Sequence, residues 1–80
     1  MQIPVIKKII ETYTVEDLLT AEAAILHEET LLIEIEGKDE GEKLTHILAA
    51  LWCKHEMDKH GIPMMQAIRY YGVKVRTSIS

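Results

Sequence analysis

Leu44-Thr-His-Ile-Leu-Ala-Ala-Leu-Trp-Cys-Lys-His-Glu-Met57 is the most apolar segment of this 80-residue chain. Its reading decides the fold. The segment lies between a start signal at Asp39 and a stop signal at Gly61. Together they predict one helix over about 40–60, roughly six turns at 3.6 residues per turn. Leu44, Ile47, Leu48, Leu51 and Trp52 recur at i, i+3, i+4, i+7 and i+8, an apolar stripe expected to pack the other helices. His46, Ala49, Ala50, Cys53, Met57 and His60 fill much of the opposite side. A helix apolar on nearly all sides is normally buried on all sides. In so short a chain, a second subunit is the expected cover. Ala49, Ala50, Cys53 and Met57 are then the expected close helix–helix contact, inside the fold or between subunits.

Upstream, Gly37-Lys-Asp-Glu-Gly41 reads as a turn, and Asp39 with Glu42 as a capping pattern. Thr30-Leu-Leu-Ile-Glu-Ile-Glu36 breaks the helical period. Leu31, Ile33 and Ile35 alternate with Leu32, Glu34 and Glu36, which predicts a short strand or extended arm. A lone strand needs a partner for its backbone. Two are conceivable: the same segment of a second subunit, or Val73-Lys-Val-Arg-Thr-Ser-Ile79, whose Lys74 and Arg76 could face Glu34 and Glu36. Ile33 and Ile35 therefore join the candidate subunit contact. Further back, Thr14 and Asp17 start a helix that buries Val15, Leu18, Leu19, Ile25 and Leu26. It should fray near His27-Glu28-Glu29, where two acids meet its negative end. Ile3-Pro4 opens a first short helix with Ile6, Ile9, Ile10 and Tyr13 at helical spacing.

Downstream, Lys59, His60, Gly61 and Pro63 close the central helix. Pro63 then opens a last helix, expected to about residue 77, with Met64, Ala67, Ile68, Tyr71 and Val75 inward. Gly72 costs that helix about 1 kcal/mol against Ala. It either lets a neighbour approach closely or ends the helix at Tyr71.

Composition bounds the rest. The length suits a single small helical domain, residues 1–80. A core of this size supplies only about 3–5 kcal/mol, so small folds add disulfides, metals or subunits. One cysteine allows no internal disulfide. A reducing, cytoplasmic setting is the default and oligomerisation the expected supplement. No apolar run approaches the roughly 18 residues of a membrane span. Net charge is −4 but uneven: residues 11–42 hold eleven acids and one base, and no acid follows Gly61. Such asymmetry can draw the acidic front of one subunit to the basic tail of another, or of the same chain.

Several constellations invite chemical readings. His46, Cys53 and His60 share a helical face, but each step of seven residues is about 10 Å along the axis. One ion bound at about 2.0–2.3 Å cannot take all three. Only a pair such as Cys53 with Glu56 or Met57, joined by a second chain, could approach one metal. A thiol mechanism at Cys53 has no oxyanion site or pocket beside it, so no catalytic residue and no cofactor is assigned. His55 reads as an interface or core histidine and His27 as a helix-end residue. Glu28, Glu29, Glu34, Glu36, Asp39, Glu40 and Glu42 lack the ordered spacing of a calcium loop and read as a solvated acidic edge. Arg69, Lys74 and Arg76 with Tyr70 and Tyr71 are the one hint of nucleic acid. A pI near 5.5 opposes it.

Asp39-Glu-Gly-Glu-Lys-Leu-Thr-His-Ile-Leu-Ala-Ala50, Val75-Arg-Thr-Ser-Ile79 and Ile3-Pro-Val-Ile-Lys-Lys8 resemble a group of short, uncharacterised bacterial proteins. The resemblance implies a bacterial, cytoplasmic setting and assigns no activity or residue. The expected molecule is mostly α: four helices and one short extended or β segment, assembled as an oligomer, most simply a twofold dimer. Its expected role is an interaction module for its own copies, with an unidentified protein as a further possible partner. The alternatives are a metal-binding or thiol-based accessory using Cys53, and a nucleic-acid binder using the basic last helix.

Overall fold

The helices begin and end where local chemistry satisfies their end groups. A computed structural model describes residues 2–79, which form α1 (Ile3–Thr12), α2 (Val15–Leu26), α3 (Glu40–His60) and α4 (Met64–Ile79). Thr14 and Asp17 make a complete capping box: Asp17 N–H donates to Thr14 Oγ1 at 3.1 Å, and Thr14 N–H to Asp17 Oδ2 at 3.0 Å. The aspartate is therefore long enough for the role usually filled by glutamate. At α3, Asp39 Oδ1 accepts from Glu42 N–H at 2.8 Å, while Glu42 Oε1 reaches past the cap to accept from Lys38 N–H at 3.3 Å. Gly61 closes α3 in the left-handed region, its N–H donating to Met57 O at 2.9 Å. Pro63 precedes α4, its carbonyl accepting from Gln66 and Ala67.

The end of α2, at Leu26, is closed by backbone hydrogen bonds. Glu29 N–H donates to Ala24 O at 2.7 Å and Glu28 N–H to Ile25 O at 3.2 Å. This is the double closure of a Schellman motif, with Glu28 at φ 55° where glycine is usual.

α3 is the axis. It packs against α1, α2 and α4; α1 also meets α4, and among the described residues α2 meets no other helix. The core joins Ile6, Ile9, Leu18, Ile25, Ile47 and Ile68, among others, around the small residues Ala49, Ala50 and Cys53.

The small side of α3 faces the chain's own helices, one of its two expected places, while the Leu/Trp stripe packs the core only in part. Ile47 is buried, but Leu44, Leu51 and Trp52 are only half-buried and Leu48 is 42% exposed. His46, Ala49, Ala50 and Cys53 face inward with essentially no exposed surface. The reason is volume. Interaxial distances of about 8–10 Å depend on the side chains at the contact. A helix touched by three others puts its small residues at the closest approach, with Leu44, Leu51 and Trp52 packing at the edges of the core and Leu48 outside it.

The expected strand at 30–36 is also corrected. Among the described residues no strand forms, and 73–79 continue α4. The alternation survives as burial: Leu31 and Ile33 are half-buried and Ile35 is 4% exposed, while Leu32, Glu34 and Glu36 face out. Side chains replace the ladder. Tyr13 OH donates to Glu34 O at 2.9 Å, and His46 Nδ1 donates to Glu36 O at 2.8 Å. A carbonyl only accepts, so Nδ1 of His46 carries the hydrogen. Gly37 lets this segment cross the first turn of α3, since a Cβ there would lie 2.8 Å from Lys43 Cγ and 3.0 Å from its backbone nitrogen.

Candidate functional site

Of the six residues expected at a subunit contact, Ala49, Ala50, Cys53 and Ile35 are buried within the chain. Ile33 and Met57 are half-buried against the same core. The close helix–helix contact anticipated at Ala49-Ala50-Cys53 is thus made with the chain's own helices. It leaves these side chains no outward surface.

The α3 line His46–Cys53–His60 is divided among three environments. His46 is buried and holds Glu36 O; Cys53 is buried; His60 is exposed and pairs with Glu56, its i−4 neighbour, at 3.3 Å. Burial, and then the nearby Glu56 carboxylate, push the Cys53 thiol from 9.0 up to about 11. At neutral pH that leaves about one part in ten thousand as thiolate, the form that attacks electrophiles and binds metals. Cys53 and Glu56 are three apart on α3, yet no three histidine, cysteine or acidic side chains converge among the described residues. His27 is the C-cap of α2, as expected, and His55 is exposed.

On α4 the two tyrosines separate. Tyr71, half-buried, packs against Trp52 with ring centroids 5.5 Å apart and the ring planes tilted by 54°. Its hydroxyl is held above its ordinary 10.0 by burial and then by Cys53. Tyr70 points outward and accepts from Gln66 Nε2 at 2.7 Å. Gly72 neither ends the helix nor admits a neighbour from its own chain, for a Cβ there meets nothing within 4 Å.

Among the described residues, clefts of about 140, 180 and 270 Å³ open on the surface. All fall short of the roughly 300–1,000 Å³ of small-molecule sites. Each borders the 27–39 connection; the largest lies between Ile25, Glu28, Leu31 and Lys43. The apolar surface is more distinctive. Leu44, Leu48, Leu51 and Trp52 form a strip on α3 that its three neighbours leave partly open. Sequence reasoning found these residues as a stripe packing the other helices; Leu44, Leu51 and Trp52 do pack on the core, and Leu48 is exposed. The signal that could have placed them is the cluster of small residues opposite.

Residues 1–80 match a protein family of unknown function, DUF6952. The chain belongs to DUF6952. No curated protein and no solved structure matches it. DUF6952 membership agrees with the resemblance seen at 3–8, 39–50 and 75–79, and assigns no residue a role. Among the described residues, no helix is long and apolar enough to cross a membrane.

Proposed function

We propose that this protein is a self-associating interaction module, a twofold dimer whose centre is the open strip of α3. One observation carries the reading: α3 is already touched by three helices, yet Leu44, Leu48, Leu51 and Trp52 remain half-covered, with Leu48 42% exposed. Apolar side chains contiguous along one helix favour removal from water at about 25 cal/mol per Å². A chain of 80 residues with a single cysteine has few other sources of added stability. That one buried thiol suits the reducing cytoplasm of a cell. An antiparallel crossing of two α3 strips is self-complementary, as a twofold contact requires.

Light scattering or sedimentation at micromolar concentration tests this. The wild-type chain should run at twice its 9.1 kDa. Leu48→Lys, at an exposed position, should return it to monomer with its helical content intact. A wild-type chain that stays at 9.1 kDa with a cooperative melt overturns the reading.

A further inference from the structure

α2 and α4 each carry an apolar line that no other described residue covers. On α2, Val15, Leu19, Glu22 and Leu26 fall at i, i+4, i+7 and i+11, one line along the helix. Val15, Leu19 and Leu26 are all exposed, Leu26 at 62%. α2 contains acids and no base. On α4, Met65, Arg69, Val73 and Arg76 fall at i, i+4, i+8 and i+11, and all four are exposed. α4 contains bases and no acid. Gly72 lies on the same line at i+7, leaving open space where its side chain would stand. Both lines span eleven residues, about 16 Å of helix.

Within one chain these faces cannot meet. α2 and α4 both pack on α3 and, among the described residues, do not touch each other. A second copy can bring them together. Pairing α2 with α2 would bring two helices that carry only acids together, and pairing α4 with α4 two that carry only bases. Like charges across an interface are strongly unfavourable. Only the mixed pairing matches acid to base while burying both apolar lines.

We infer that the outward line of α2 docks on the outward line of α4 from a second copy of this chain, the contact being made twice about a twofold axis. This rests on the self-association proposed above and assigns its flanks. The axis passes the open strip of α3. α2 of each copy then lies against α4 of the other, with Glu22 among Arg69 and Arg76. Gly72 provides the shallow point at which α2 comes closest. The pairing closes, because each copy contributes both faces once.

Charge reversal tests the arrangement. Glu22→Lys should weaken self-association at least about tenfold, and so should Arg69→Glu with Arg76→Glu. Far-UV circular dichroism should show unchanged helix, since all three positions lie outside the core. An equimolar mixture of the two variants should recover the wild-type dissociation constant. In that heterodimer, one flank has its charges exchanged, a lysine facing two glutamates, and the other is wild-type. The single Arg69→Glu chain replaces the double variant if the latter loses helix. Added salt should weaken the wild-type dimer by screening the flanks. A wild-type dimer that Leu48→Lys dissociates but charge reversal leaves unchanged overturns this inference and spares the α3 reading. A mixture that associates no better than either variant alone does the same. A monomeric wild type overturns both.

Discussion

Glu28 and Gly61 hold the same left-handed backbone at the ends of α2 and α3, with φ of 55° and 63°. An L-residue with a Cβ is disfavoured there by about 1 kcal/mol relative to glycine. Glu28 also sets a negative charge at the negative end of α2. Glu28→Gly should therefore stabilise the fold by about 1 kcal/mol, raising Tm by roughly 4–8 °C for a chain of this size. Gly61→Ala should do the reverse by a similar amount, and through conformation alone, since its Cβ meets nothing within 4 Å. Thermal melts of the two variants check both signs. Cys53 gives a different handle. Its folded thiol titrates near 11 against an ordinary 9.0, so the native state keeps a proton that the unfolded chain releases. Its contribution is intact below about pH 9 and is lost as pH rises toward 11. Tyr71, raised in the same direction, steepens that loss. Stability in melts taken from about pH 8 to 11 should fall, and more shallowly in Cys53→Ala. Thiol reagents at neutral pH should modify Cys53 only on unfolding.

Between α2 and α3, residues 27–39 are an irregular connection held by side chains. Tyr13 and His46 take the carbonyls of Glu34 and Glu36, two residues apart, as a neighbouring strand would have done. Ile35 anchors between them at 4% exposure, while Leu32 stands 85% exposed. Tyr13→Phe removes one tie and leaves Ile35 in place. It should cost about 1 kcal/mol and accelerate tryptic cleavage at Lys38 relative to the folded remainder. An unchanged cleavage rate would show that the connection does not depend on this bond. The period-two pattern of 31–36 was legible because burial alternates along it. The missing ladder was not legible, because the groups that satisfy the backbone come from residues 13 and 46.

At the scale of the molecule, charge and hydrophobicity are sorted in space. Acids gather on α2 and the connection, bases on α4, and α3 separates them. A dimer built through the open faces has a melting temperature that rises with protein concentration, by mass action. Melts at about 2 and 200 μM, the range in which small dimers dissociate, should differ by several degrees. Coincident curves would indicate a monomeric unit of stability.

The helix boundaries follow from local sequence alone. Thr14 with Asp17, Asp39 with Glu42, Gly61 and Pro63 act on backbone groups within four residues of themselves, so their effect needs no fold around them. Local sequence also dictates that α3 is apolar on two sides, since periodicity is a property of the helix alone. Which side lies deepest depends on the packed neighbours. Ala49, Ala50 and Cys53 take the fully buried positions, Leu44 and Leu51 the edges of the core and Leu48 the outside, because three helices converge on α3 and close approach favours small side chains.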